Sequence, residues 1–248
     1  MNRVGFAIQR AIKKLGRAAG LEIRYAFQNP PITDPRMYSR WLIRDQVRCI
    51  FDVGANIGQS ACRYAAAFPS STIHSFEPFP AAYSRLQQIA NASNGRIQAY
   101  QLACGDCEGN MEVSVDPSSL SQLNKLVAVT GANSVPSTKT TRIQVSTVDR
   151  ICEQQKIESI DILKTDTEGY DAKVLAGAVN MLSRGRVRCV VAEIGFLNDL
   201  QHTEFSEVFL FLHRFGYKLA GIYEISYYRS LACDFANALF VQPLPTAC

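Results

Sequence analysis

Short apolar runs rich in β-branched and aromatic residues alternate with segments of helical spacing along most of this chain. The runs predict strands at Cys49–Val53, Thr72–Phe76, Ile97–Ala103, Ile160–Thr165, Val187–Ile194, Tyr217–Ile222 and Ala238–Gln242. Helical spacing occurs at 59–68, 79–92, 171–183 and 204–215. This alternation predicts an α/β fold in which helices cover both faces of a mostly parallel sheet. The final two strands have too short a connection for a crossover helix, which predicts an antiparallel pair at one sheet edge.

Two segments interrupt the alternation. Residues 108–148 are rich in Ser, Thr, Asn and Gly and contain one alternating run, Thr141–Val145, so we interpret them as an insertion beside the site, a hairpin or a lid. Residues 1–37 hold a basic amphipathic helix over 3–19, followed by a proline-rich extended connector. A chain of 248 residues can bury one sizeable core, and we expect a single main domain over 38–248.

The positive charge is concentrated at the N-terminus. Residues 1–30 carry a charge of +5, whereas the whole chain carries +4, so the remaining residues are nearly neutral. Such a body lacks the basic surface that dominates nucleic-acid affinity, and we expect no nucleic-acid partner. The apolar stripe of residues 3–19 favours packing on the domain, with weak contact to an anionic membrane surface as the alternative.

The apolar runs are all far shorter than the ~18 to 20 residues that cross a bilayer. The N-terminus also lacks the continuous apolar stretch of a secretory signal. Eight cysteines are scattered along the chain, which is untypical of a small disulfide framework. We therefore expect a cytoplasmic protein, membrane-peripheral if residues 3–19 bind lipid, in which most cysteines are buried thiols. The sequence leaves the oligomeric state open.

The sharpest local motif is FDVGANIGQS, at residues 51–60, between the first strand and the first helix. Gly54 and Gly58 permit a tight turn and close approach of a ligand, and the helix that follows offers unpaired N–H groups. A phosphate-binding P-loop is disfavoured because residue 59 is Gln, with no Lys after it, and a dinucleotide motif is absent because residue 56 is Asn. We expect a polar or anionic ligand here.

Acidic residues follow the next two predicted strands. Glu77 lies 19 residues after Gly58, close to the ~20-residue interval at which nucleoside-binding α/β folds place a carboxylate for ribose. Two vicinal hydroxyls suit one bidentate carboxylate, so ribose binding is favoured for Glu77. Asp106 follows the third strand and either accepts from the exocyclic amine of adenine or forms a turn. The C-x-x-C at 104–107 has no second pair, and we interpret it as coincidence.

Several motifs in the same order resemble the FkbM-type methyltransferases, which use S-adenosylmethionine. They are FDVGANIGQS (51–60), FEPFP (76–80), the Ser-Ser-Leu of 118–120, STVDRI (146–151), IDILKTDTEGYDAKVLAGA (160–178) and VVAEI (190–194). The resemblance covers about residues 48–243 and implies a class I methyltransferase (Rossmann-like) fold, a seven-stranded mostly parallel sheet with an antiparallel last strand. It implies that the loop with Asp52, Gly54, Asn56 and Gly58 holds the methionine moiety and Glu77 the ribose.

The cofactor's chemistry agrees with these residues. S-adenosylmethionine has no phosphate that would require a lysine, it has a carboxylate for a helix N-terminus, and its sulfonium tolerates nearby acids.

The segment KTDTEGYD, at 164–171, ends the fourth predicted strand, where α/β sheets place reacting groups. Methyl transfer to a hydroxyl requires in-line alignment and removal of the hydroxyl proton. Asp166 and Glu168 are candidate bases, with His202 as an alternative. Asp166, Glu168 and Glu193 could instead gather a divalent cation such as Mg²⁺. The family more often carries Glu where Asp171 stands, and Asp171 can equally serve the start of the following helix.

These observations predict an S-adenosylmethionine-dependent methyltransferase. The resemblance alone implies O-methylation of a hydroxyl on a sugar, glycan or secondary metabolite, with a small molecule or glycan as the acceptor. A non-catalytic cofactor-binding or membrane-peripheral adaptor with the same fold is the alternative. An NAD-linked oxidoreductase is disfavoured by the missing glycine and the missing acid/base pair for hydride transfer. The acceptor depends on how residues 108–148 and 196–232 fold over the cofactor, which a single sequence does not determine.

Overall fold

A computed structural model describes residues 46–115, 139–197, 202–228 and 232–242 of this chain. The strands are β1 (Cys49–Val53), β2 (Thr72–Phe76), β3 (Ile97–Tyr100), β4 (Ala103–Cys104), β5 (Gly109–Val115), β6 (Lys139–Ser146), β7 (Ile160–Thr165), β8 (Val187–Gly195), β9 (Lys218–Tyr223), β10 (Tyr227–Tyr228), β11 (Ala232–Cys233) and β12 (Phe235–Val241). The helices are α1 (Gln59–Ala67), α2 (Pro80–Asn91), α3 (Val148–Gln155), α4 (Asp171–Ala176), α5 (Val179–Ser183) and α6 (Phe205–His213). The predictions for residues 1–37 and 118–120 lie outside the described residues.

The main sheet has seven strands in the order β3-β2-β1-β7-β8-β12-β9. The pairs β1–β2, β2–β3, β1–β7 and β7–β8 are parallel, whereas β12 is antiparallel to both β8 and β9. This confirms the predicted α/β class, the seven-stranded mostly parallel sheet and its antiparallel last strand. Strand order reverses at β1, because β2 and β3 lie on one side of it and β7 and β8 on the other.

Helices cover both faces of this sheet, as predicted. Residues next to each other on a strand enter different cores: Ile50 packs with Ala61 and Tyr64 of α1, whereas Phe51 packs with Val174 of α4 and its neighbours. Burial on both faces explains why the strands read as nearly continuous apolar runs. The carboxyl ends of the parallel strands therefore project from a rigid support.

The predicted strand Ile97–Ala103 is wrong in its second half. β3 ends at Tyr100, whose carbonyl accepts from the Glu77 N–H at 3.0 Å, and the chain then leaves the main sheet. β4 pairs in parallel with β6 in a second sheet of order β4-β6-β5. β5 and β6 are antiparallel over Gly109–Val115 and Lys139–Ser146, within the segment interpreted as an insertion. Because strands of both sheets have similar apolar patterns, the sequence did not indicate that the chain passes from one sheet to the other after Tyr100.

The predicted helix 171–183 is two helices, with a break at Gly177 and Ala178. A Cβ at Gly177 would overlap the carbonyl oxygen of Gly105, so the chain passes closely against β4 there. Asp149 then accepts from the backbone N–H groups of Asn180 and Met181 at 2.8 and 2.9 Å, which caps the start of α5. The break thus depends on partners distant in sequence.

Across the described ranges, no helix is both long enough and apolar enough to traverse a membrane. Seven of the cysteines lie in those ranges, all as free thiols. Cys104, Cys152 and Cys189 are buried, whereas Cys62 and Cys107 are exposed. Cys49 and Cys233, both on strands, are half-buried. The prediction that most thiols are buried is therefore wrong for this part of the chain, where three of the seven are buried.

Candidate functional site

The candidate site lies at the carboxyl edge of the parallel strands, around β1 and β7. Strand order reverses between these two strands, and open α/β sheets bind ligands at the carboxyl edge beside such a reversal. Two segments meet there. We call residues 52–58 the glycine loop and residues 166–171 the acid loop.

The glycine loop is built from residues with left-handed backbone. Gly54, Asn56 and Gly58 have φ values of 74°, 50° and 94°. A Cβ at Gly54 would overlap the carbonyl oxygen of Asp166, so glycine is required both by conformation and by close contact with the acid loop. Gly58 precedes α1 without a side-chain cap, and the first turn of α1 contains no acidic residue. This helix N-terminus therefore brings N–H groups and partial positive charge to this edge of the sheet, where the buried Asp52 interacts with the Ala61 N–H.

Glu77 lies directly beside the glycine loop at the end of β2, and it is only 5% exposed. Its Oε2 accepts from the Asn56 N–H at 2.9 Å, and its Oε1 accepts from the Phe79 N–H at 2.9 Å. Burial raises the pKa of Glu77 to about 7, although both amide hydrogen bonds act in the opposite direction. Each carboxylate oxygen can accept a second hydrogen bond, so this carboxylate is fixed by the backbone and still able to accept from vicinal hydroxyls.

Asp52 and Lys164 form a buried cross-strand ion pair beneath the glycine loop. They are register partners on β1 and β7, and Lys164 Nζ lies 3.1 Å from Asp52 Oδ1 and 3.2 Å from Asp166 Oδ2. Burial alone lowers the pKa of Lys164, but Asp166 and Asp52 outweigh it and the pKa is raised. Burial raises the pKa of Asp52, opposed chiefly by Lys164. Lys164 is therefore a permanent cation between two carboxylates.

The acid loop is closed at its two ends by a buried hydrogen bond from the Thr165 hydroxyl to Asp171 Oδ1. Within the loop, Glu168 and Gly169 have φ values of 53° and 89°. A left-handed glutamate is uncommon, and such residues cluster at functional sites. Burial raises the pKa of Asp171 to about 6, while the Thr165 hydrogen bond lowers it. Asp171 is fully buried and holds the loop together at the start of α4.

Glu193, near the end of β8, lies within electrostatic range of this loop. Burial, followed by repulsion from Asp166, Asp171 and Glu168, raises the pKa of Glu193 to about 10. The side chain is therefore a neutral acid at neutral pH.

The structure gives no support to the predicted cation at Asp166, Glu168 and Glu193. Within the described ranges, no three Asp, Glu, His or Cys side chains are grouped so that they could hold a metal ion. The position beside Asp166 is taken by the ammonium of Lys164. The cation stays a prediction.

Asp106 is not placed as the sequence indicated. It follows β4 in the second sheet rather than a strand of the main sheet. Its side chain is 42% exposed and its Oδ2 lies 3.9 Å from Lys173 Nζ. The contact to adenine stays a prediction.

His202 lies beside the end of β8, where the Gly195 N–H donates to the carbonyl oxygen of Thr203 at 2.8 Å. Its ring stacks on Phe235, the first residue of β12, with centroids 4.5 Å apart. The histidine is therefore at the same sheet edge as the acid loop, and its role as a base stays a prediction.

Sequence reasoning missed the roles of Lys164 and Asp171. A signal was present for Lys164, since a lysine inside the apolar run Ile160–Thr165 must be paired once it is buried. No local signal showed that Asp171 turns back to Thr165 rather than towards solvent.

The seven-stranded sheet with its reversal at β1, its antiparallel β12 and its uncapped glycine loop defines a class I methyltransferase fold. Residues 52–219 match the family model described as the methyltransferase FkbM domain. The chain therefore belongs to the FkbM methyltransferase family, which confirms the resemblance. The FkbM methyltransferase structure from Methylobacillus flagellatus KT superimposes with a TM-score of 0.56, at 15% identity, over 82% of this chain and 45% of that one, and it shares the fold.

Two relatives show the level of sequence similarity. Hexuronic acid methyltransferase AglP of Haloferax volcanii is 26% identical over 145 residues, which cover 58% of this chain and 55% of that protein. The 31-O-demethyl-FK506 methyltransferase FkbM of Streptomyces tacrolimicus is 28% identical over 170 residues, covering 58% of this chain and 64% of that protein. This chain thus spans somewhat more than half the length of these relatives.

Proposed function

We propose that this protein transfers a methyl group from S-adenosylmethionine to a hydroxyl oxygen of a sugar, glycan or related secondary metabolite. The observation that carries the proposal is the buried Glu77 carboxylate, held by the Asn56 and Phe79 amides beside the glycine loop. A carboxylate fixed in this way is poised to accept from two vicinal hydroxyls. Membership of the FkbM family agrees with it.

The residues at the strand ends fit the cofactor. The main chain of the glycine loop and the start of α1 suit the methionine carboxylate, because they offer N–H groups and the first turn of α1 contains no acidic residue. Glu77 would hold the ribose, and Asp106 is proposed for the adenine amine. The cofactor, when bound, supplies an electrophilic methyl group on a sulfonium.

The acid loop supplies the groups that handle the acceptor's proton. Asp166 is partly exposed, with 37% of its side chain accessible, and Lys164 fixes one of its oxygens. Glu168 lies two residues further along the same loop. We propose one of these carboxylates as the base that takes the hydroxyl proton, with His202 as the alternative. Glu193 is an unsuitable base at neutral pH, because its raised pKa keeps it protonated.

The acceptor class is inferred from the names of the two relatives. One relative is described as a hexuronic acid methyltransferase and the other as a 31-O-demethyl-FK506 methyltransferase, and the second description names an oxygen as the demethylated position. We therefore propose a hydroxyl acceptor for this chain.

The first test is calorimetric titration of the protein with S-adenosylhomocysteine and, separately, with NAD. We expect micromolar binding of S-adenosylhomocysteine and no binding of NAD. Binding of NAD alone would reject the methyltransferase assignment. Binding of neither would favour a non-catalytic adaptor whose glycine loop binds no cofactor.

The second test is methyl transfer from radiolabelled S-adenosylmethionine to a panel of hexuronic acids, neutral glycosides and macrolide alcohols. We expect transfer to at least one class, and a loss of about 10²-fold or more in Asp166→Asn or Glu168→Gln, whichever is the base. The matched control is Glu158→Gln, an exposed residue in the turn before β7. Cofactor binding without transfer to any acceptor, unchanged by these substitutions, would support the adaptor instead.

A further inference from the structure

Lys164 contacts both loops of the site from beneath. Its side chain is only 4% exposed, and Nζ lies 3.1 Å from Asp52 Oδ1, 3.2 Å from Asp166 Oδ2 and 3.4 Å from the carbonyl oxygen of Gly54. Three oxygens therefore surround the ammonium: two carboxylate oxygens at ion-pair distance and one carbonyl oxygen to which it donates a hydrogen bond. Two of them belong to the glycine loop and the third to the acid loop.

The main chains of the two loops also meet. The Asp166 N–H donates to the carbonyl oxygen of Val53 at 3.1 Å, and Gly54 packs against the Asp166 carbonyl. These contacts fix the backbone of Asp166 but leave its carboxylate free to rotate. The ammonium of Lys164 is what orients the carboxylate relative to the glycine loop.

We propose that Lys164 is a positioning residue that couples the cofactor-binding glycine loop to Asp166 on the acid loop. The inference rests on the proposed function, since it presumes that S-adenosylmethionine occupies the glycine loop. In-line methyl transfer tolerates little misalignment between the methyl donor and the group that takes the acceptor's proton. A buried cation in contact with both loops links the position of one loop to that of the other.

The coupling makes a prediction that requires no acceptor. A change at Asp166 reaches the cofactor through the ammonium of Lys164, which also holds Asp52 and the Gly54 carbonyl. Asp166→Asn should therefore alter cofactor affinity only while Lys164 is present. A direct effect of Asp166 on the cofactor would be the same with or without the lysine.

The test must allow for the fully buried Asp52. Lys164→Met alone leaves that carboxylate without its partner, which is severely destabilising and can prevent folding. We therefore combine Lys164→Met with Asp52→Asn and keep Asp52 wherever Lys164 is present, so that neither buried group loses its last charged partner. The four proteins are the unsubstituted chain, Asp166→Asn, Asp52→Asn with Lys164→Met, and all three changes together, and each is checked for folding by thermal denaturation.

The measurement is the dissociation constant of S-adenosylhomocysteine by calorimetry. We expect Asp166→Asn to weaken binding by about three- to tenfold when Lys164 is present and by less than about twofold when it is Met. The matched control is Lys218→Met, an exposed lysine on the edge strand β9, which should leave affinity unchanged.

Equal losses in the two lysine backgrounds would overturn the coupling while leaving the cofactor assignment intact. Failure of the unsubstituted protein to bind S-adenosylhomocysteine would instead overturn the proposed function on which the inference rests. The unsubstituted protein and the three variants therefore separate the two failures.

Discussion

The glycine loop and the acid loop lie at neighbouring strand ends, but they differ in what acts on their carboxyl groups besides burial. Two backbone amides favour the charged form of Glu77, beside the glycine loop, so burial raises its pKa only to about 7. The carboxyls around the acid loop repel one another, and with burial this repulsion raises the pKa of Glu193 to about 10. The comparison shows that main-chain groups hold the carboxylate of one region in place. In the other region the carboxyl groups repel one another, and this repulsion is opposed by the charge of Lys164 and by the hydrogen bond from Thr165.

The largest effect is expected at Gly54, where the two loops touch. Gly54→Ala places a Cβ against the Asp166 carbonyl at a left-handed φ of 74°, so we expect the free energy of unfolding to fall by more than ~3 kcal/mol. The matched control is Gly95→Ala, with a φ of 78° and no atom within 4 Å of the added Cβ, which should cost only about 1 to 2 kcal/mol. Urea denaturation measures both. Equal costs would show that the loops do not depend on close contact.

The next effect concerns how Glu77 is held. Glu77→Ala removes the ribose acceptor and leaves the Asn56 and Phe79 amides without their partner, so we expect S-adenosylhomocysteine affinity to fall about 100-fold. Calorimetric titration measures the change. Glu158→Ala, on the exposed turn before β7, serves as the control and should bind as tightly as the unsubstituted protein. An unchanged dissociation constant in Glu77→Ala would refute the ribose assignment.

Glu193 tests the electrostatic strain of the acid loop region. Its pKa is raised from an ordinary 4.5 to about 10, so the folded state keeps a proton that the unfolded chain loses. The stabilisation from this proton is complete below about pH 4.5 and declines as pH rises towards 10. The groups that set this behaviour are Asp166, Asp171, Glu168 and Lys164.

Glu193→Gln should flatten the decline, because an amide has no proton to lose. We expect the slope of unfolding free energy against pH to become less negative by up to ~1.4 kcal/mol per pH unit between pH 6 and 8. Urea denaturation at several pH values measures the slope. Glu77 adds a decline of the same sign in both proteins, since its pKa is also raised. If the free energy of unfolding depends on pH with the same slope in both proteins, the pKa of Glu193 is not raised in the folded state.

The smallest effect is expected at Asp106. Its pair with Lys173 is 3.9 Å long and both side chains are largely accessible, so Asp106→Asn should change stability by less than ~0.5 kcal/mol. If Asp106 accepts from adenine, S-adenosylhomocysteine affinity falls by about three- to tenfold. Lys173→Met is the control, because it breaks the ion pair without removing the acceptor. If Asp106→Asn and Lys173→Met bind S-adenosylhomocysteine equally well, Asp106 has no contact with adenine.

The predicted strands agree closely with the structure where burial on both faces left an unbroken apolar run. β1, β2 and β7 begin and end at the predicted residues. The predictions failed where contacts with residues distant in sequence set the end of an element. The chain changes sheets after Tyr100, and the helix ends at Gly177, whose carbonyl oxygen accepts from the Asp149 N–H. Neither event alters the local pattern of apolar residues.

The candidate site divides in the same way. Gly54, Gly58 and Glu77 could be chosen from the sequence, because tight turns require glycine and the interval to the next strand end is set by one helix. The arrangement of Lys164, Asp52 and Asp166 could not, since it depends on β1 and β7 being register partners although they lie more than a hundred residues apart. Asp106 is a candidate that the sequence placed wrongly. Its position suggested the edge of the main sheet, but β4, the strand before it, pairs with β6 in the second sheet.

The sequence by itself determined the α/β class, the family and the residues of the glycine loop, because these depend on local periodicity and on backbone conformations that few residues adopt. Only the tertiary structure decided which carboxylates are charged, which are neutral and which are tied to Lys164. Charge states depend on burial and on the distances between groups, and those exist only once the strands are side by side.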